Sequence, residues 1–200
     1  MVYRILFFII ASAALFVQAQ DIPPVVSNSL RVSYMGSVTY PGFKVGYEMP
    51  YKQTQVFKER RTGVKTFTKE RSLNVNFGMY HHPTFHNNYF LQAEWNLRRQ
   101  KSKGMFYEFS PGLGASRTFL ASATYKVDDR GEVSKVPLAG NYFALLSVSG
   151  SLGYNLSVRG NLPGKLFVKP GLLFLFPYSK MAYARPTVEL GYSWSLSNKS

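Results

Sequence analysis

The 200-residue sequence contains no cysteine. That absence removes disulfide staples, thiolate metal sites, cysteine nucleophiles and a lipoprotein anchor together. Acidic residues are scarce as well: 10 Asp and Glu stand against 24 Lys and Arg, a formal net charge of +14. Charged residues of both signs amount to only 17% while aromatics reach 16%. This is the reverse of a disordered basic tail, so the chain folds. No apolar run reaches the roughly 20 residues a transmembrane helix needs, and a helical membrane protein is excluded. The mean hydropathy of −0.12 looks soluble, but it averages over a sequence written in alternation.

Arg4 opens a short positive segment, and the apolar stretch Ile5–Val17 follows. Val17-Gln18-Ala19 then supplies the small-x-small pattern that a signal peptidase reads. The run has no polar face, as a buried amphipathic helix would require. Residues 1–19 are therefore expected to be a signal peptide, and residues 20–200 a single domain of an exported protein.

Beyond the leader, helical spacing is nearly absent and period two dominates. Tyr89, Leu91, Ala93, Trp95 and Leu97 alternate with Phe90, Gln92, Glu94, Asn96 and Arg98. Ala184, Pro186, Val188, Leu190, Tyr192, Trp194 and Leu196 alternate with Arg185, Thr187, Glu189, Gly191, Ser193 and Ser195. Successive strand residues point to opposite faces, so each segment has one greasy and one wet side. The alternation outlasts the ~5–6 residues of a typical soluble strand and suits a tilted crossing of a bilayer. Strands are expected near 29–37, 42–57, 64–80, 86–98, 104–117, 141–157, 164–176 and 183–196. The fold class is thus all-β, an antiparallel up-and-down transmembrane β-barrel of about eight strands in the outer membrane. A soluble exported β-sandwich with a binding role is the alternative. With both termini in the periplasm, the long connection 118–140 falls outside the cell, and Val127 to Val133 reads as a tight tip. Phe167, Leu173 and Leu175 interrupt the wet face of segment 164–176.

The last strand carries a separate signal. Barrel-insertion machinery reads a polar-x-Gly-x-x-aromatic-x-hydrophobic pattern, and Glu189, Gly191, Trp194 and Leu196 stand at those positions.

Tyr80-His81-His82-Pro83-Thr84-Phe85-His86, continuing through Phe90-Leu91, Glu94 and Arg98, resembles small outer-membrane β-barrel proteins of the Bacteroidota. Phe106 to Phe119, with Glu108 and Gly112-Leu113-Gly114, is similar to them, as is Tyr40 to Glu48. The resemblance covers roughly the first two thirds of the expected mature chain. It implies a fold and an outer-membrane location rather than an activity.

An eight-stranded barrel has an interior just filled by side chains. Lys44, Glu48, Glu94, Arg98, Glu108, Arg185 and Glu189 all fall on wet faces, and charges confined there must pair. They are expected to form a salt-bridged lumen network. His81, His82 and His86 cluster around Pro83 and are weak metal candidates, with no HExxH motif beside them. No metal or other cofactor is expected. An enzyme of the lipid A deacylase kind would draw on His86 with Ser110 or Ser116 and Glu94 or Glu108, but no recognisable catalytic motif is present. Basic runs at Lys58, Arg60, Arg61, Lys65, Lys69 and Arg71, and at Arg98, Arg99, Lys101 and Lys103, suit lipopolysaccharide phosphates, other anionic headgroups or a periplasmic protein. Outer-membrane lipid and the insertion machinery complete the expected partners; nucleic acid is not among them.

Overall fold

Long alternating segments can bury one face only by curling into a ring or stacking as two sheets, and this chain forms a ring. The computed structural model describes residues 19–20, 27–37, 40–60, 63–158, 160, 162–178 and 181–196. Eight strands carry the fold: β1 (Ser29–Ser37), β2 (Tyr40–Arg60), β3 (Gly63–His82), β4 (His86–Lys101), β5 (Met105–Leu120), β6 (Tyr142–Asn155), β7 (Lys165–Tyr178) and β8 (Met181–Ser195). Each pairs antiparallel with its neighbour in sequence. The ring closes where β8 pairs with β1, from Val188 opposite Gly36 to Ser195 opposite Ser29. A closed antiparallel barrel results, without the paired sheets of the sandwich alternative. The expected signal peptide lies outside the described residues except for Ala19.

The β2–β3 hairpin runs further than the alternation suggested, over 40–60 and 63–82 rather than 42–57 and 64–80. A register shift falls between Pro50 and Lys52, and beyond it Gln53 stands opposite Glu70. A bulge adds one residue to one strand and resets its alternation. Pairing therefore continues where the sequence period fades. Past Glu48 the edge of β2 outruns β1, and Ala19–Gln20 pairs with it at Val56 and Gln55.

Burial is inverted relative to a soluble domain. Phe43 is 58% exposed, Leu91 58% and Trp95 54%, all on the outer wall, while Glu48 is 0% and Lys169 1% exposed within the ring. The interior is not polar throughout, as alternation alone would have it. Towards the end away from the termini, Met35, Tyr80, Phe90, Phe143, Leu145, Leu173 and Leu175 form an apolar cluster across the lumen. Leu173 and Leu175 interrupt the wet face of β7 because they belong to this cluster.

At that same end, the connection after β5 forms a small separate hairpin, Thr124–Val127 with Val133–Val136. Its tip is held by Asp128 Oδ1, which accepts from the backbone N–H of Arg130 (3.0 Å) and of Glu132 (2.8 Å). Gly131 supplies the left-handed residue there, at φ +83°.

Candidate functional site

The lumen charges gather into two groups. In the first, Arg98 is the hub. Its Nε donates to Glu108 Oε2 at 2.8 Å, its Nη2 lies 2.6 Å from Glu48 Oε1, and its Nη1 reaches Glu70. Arg31 adds Glu108 at 3.1 Å and Glu48 at 3.7 Å, and Lys165 lies 3.6 Å from Glu70. Ser72 donates to Glu48 Oε1 at 2.7 Å. In the second group Lys44 bridges Glu94 (3.2 Å) and Glu189 (2.5 Å), and Lys169 holds the other Glu94 oxygen at 2.8 Å. Each group is charge-balanced: three cations face three carboxylates in the first, and two face two in the second. Desolvated carboxylates that lack such partners would cost several kcal/mol each, which is why balance matters within a ring this narrow.

Two inward aromatics support the network from the terminal end. Phe167 stands opposite Gly191 on β8 and Gly153 on β6, and the Arg31 guanidinium lies 4.4 Å from its ring centre. Phe106 stands opposite Gly153, with Arg98 5.3 Å from its ring centre. A Cβ at Gly191 would collide with the Phe167 ring. The glycine is therefore required for close approach: its missing side chain is the slot that accepts the ring.

Six of the seven charges singled out in the sequence, Lys44, Glu48, Glu94, Arg98, Glu108 and Glu189, lie in these groups. Arg185 is buried in the ring but stands apart, between the rings of Tyr40 and Tyr80. Arg31, Glu70, Lys165 and Lys169 join the network without having been singled out. Their signal was parity: Arg31 is in phase with Ser29 and Ser33, and Lys169 with Phe167 and Leu173.

The histidines do not gather as a metal site. His81 turns outward and donates from Nδ1 to Asn87 Oδ1 at 2.6 Å. His82 and His86 face each other with ring centres 5.2 Å apart, and His82 lies 4.3 Å from the Tyr40 ring. Among the described residues no group of three or more His, Cys, Asp or Glu is arranged to hold a metal ion. Nor are His86 and Ser110 brought together. His86 pairs with Leu120 on β5, at the far end of that strand from Ser110, whose hydroxyl donates to Glu108 at 3.3 Å. Ser116 instead accepts from Asn88 at 3.4 Å.

In the last strand Glu189 points into the lumen, while Trp194 and Leu196 point outward. Trp194 packs edge-on to Tyr192 with ring centres 4.6 Å apart, and the Leu196 N–H donates to Asn28 O at 2.7 Å.

The basic runs divide at the barrel wall. Arg98 turns inward, whereas Lys58, Lys65, Arg99, Lys101 and Lys103 line an outer groove of about 570 Å³ at the terminal end. Its floor is aromatic: Arg99 lies 3.5 Å from the Phe67 ring centre and 5.9 Å from that of Tyr107. Arg61 lies outside the described residues.

Among known proteins, no family model matches the chain and no curated protein matches it. Among solved structures, the N-terminal β-barrel domain of Pseudomonas aeruginosa OprF is similar at 12% identity and a TM-score of 0.39, covering 88% of this chain and 100% of that one. The β domain of the Bordetella autotransporter BrkA is similar at 11% identity and a TM-score of 0.33, covering 85% and 98%. The barrel assignment rests on the closed ladder of this chain itself.

Proposed function

We propose that this chain is an outer-membrane β-barrel with a structural or binding role in the cell envelope, its lumen closed by side chains. The observation that carries this reading is the inverted burial: large apolar residues on the outer wall and ion pairs within. Such a wall is stable in hydrocarbon, where a closed barrel also satisfies every backbone hydrogen bond. The leader-like residues 1–19, the last-strand pattern and the resemblance to Bacteroidota barrels support the same location. The two balanced charge groups and the apolar cluster fill the interior and favour a rigid plug over a water path. The outer basic groove reads as a dock for the phosphate of an anionic lipid, whose chains would run along the apolar wall.

The test is the migration of the outer-membrane fraction on a detergent gel with and without boiling, combined with conductance in a planar bilayer. A heat-dependent shift with no steady conductance is expected. A protein recovered soluble in the periplasm would overturn the membrane reading, and stable open-channel currents would overturn the closed lumen.

A further inference from the structure

All five carboxylates of the two lumen groups are engaged by cations, which among the described residues leaves one buried lumen cation, Arg185, outside both groups. Arg185 is 3% exposed, at the mouth away from the termini. Its guanidinium centre lies 4.0 Å from the Tyr40 ring centre and 3.7 Å from that of Tyr80. Among the described residues no carboxylate lies within ion-pair distance of it, and its buried Nε has no hydrogen-bond partner. Aromatic faces attract a cation, but they do not supply the acceptor that its buried Nε lacks.

A cavity of about 280 Å³ opens at the same place, lined by Arg185, Tyr40, Tyr80, His82, His86 and Phe143. The apolar cluster forms its floor, since Tyr80, Phe143 and Leu175 belong to both. The volume lies near the lower end of the ~300–1,000 Å³ seen for ligand pockets, and aromatic walls with one charged group are their usual composition.

We propose that this mouth binds a small carboxylate with an apolar body, the carboxylate on Arg185 and the body against the ring walls. A carboxylate suits the site because a planar guanidinium engages its two oxygens side by side. A phosphate would find one guanidinium and a largely aromatic surround, too few donors for its charge. The flat walls favour a ring as the body, and an acyl chain is the other source of the same chemistry. The inference is independent of the basic groove, which lies at the opposite end, and of the membrane in which the barrel sits.

The test uses the purified full chain in detergent micelles, its fold checked by the heat-dependent gel shift. It is titrated calorimetrically with benzoate, octanoate, benzyl alcohol and inorganic phosphate. Benzoate is expected to bind one to one, at least tenfold tighter than benzyl alcohol or phosphate; octanoate matching it would extend the body to acyl chains. Arg185→Gln should lower the affinity at least tenfold. Because that variant alone could disturb folding, His86→Glu is the second arm. It offers Arg185 an internal carboxylate from the same cavity wall, and should abolish benzoate binding while keeping the gel shift. The proposal is overturned if neither carboxylate binds, if benzyl alcohol or phosphate binds as well, or if folded His86→Glu binds benzoate unchanged.

Discussion

Arg98 reaches Glu48 across the lumen, Nη2 to Oε1 at 2.6 Å, although β4 and β2 share no ladder. The contact spans the intervening strand β3, whose Ser72 and Glu70 join it from either side. Such a contact ties together strands that are not hydrogen-bonded neighbours, so the network acts as an internal brace.

Removing the hub should therefore be costly. Arg98→Met leaves Glu48, Glu70 and Glu108 short of a partner inside the ring, and a loss of about 3–5 kcal/mol is expected. The double variant Arg98→Met/Glu48→Met removes one stranded carboxylate with its cation and should recover part of that loss. Urea unfolding in micelles, followed by the gel shift, measures both. An unchanged midpoint for Arg98→Met would mean the network contributes no stability.

The close contact at Gly191 gives a second expectation. Gly191→Ala pushes a methyl into the Phe167 ring and should destabilise by about 1–3 kcal/mol, as overpacking does. Combined with Phe167→Leu, the same alanine should be tolerated better than either neighbour's packing would allow alone. Gly150→Ala is the control, since its Cβ would meet no atom closer than Glu108 O at 3.9 Å. Equal effects at Gly191 and Gly150 would refute the steric account.

For the outer groove, lipid composition is the readout. Vesicles containing phosphatidylglycerol should raise the thermal midpoint of the barrel relative to pure phosphatidylcholine, and added salt should weaken that difference. Lys101→Glu/Lys103→Glu should erase the difference without changing the midpoint in phosphatidylcholine. A response to phosphatidylglycerol that survives the double variant would place the lipid contact elsewhere.

Much of the fold was legible because a strand has only two faces. Segments expected at 29–37 and 86–98 are found at 29–37 and 86–101, and parity assigned Glu48, Glu94 and Glu108 to the wet side before any pairing was known. Parity failed at the Pro50–Lys52 bulge, where one extra residue exchanges the faces and Pro50 is its only local mark. It was also obscured on β7, where Phe167, Leu173 and Leu175 share a side with Lys169.

The sequence by itself determined the alternation of faces within each unbroken segment, since alternation is a local property of an extended backbone. It could not say which inward charge meets which. Lys169 is the register partner of Glu189 on β8, yet it bonds Glu94 on β4, while Lys44 of β2 takes Glu189. That choice depends on the height and reach of each side chain once eight strands close into a ring. Only the tertiary structure decides it, and only there does Arg185 emerge as a buried cation that no carboxylate among the described residues compensates.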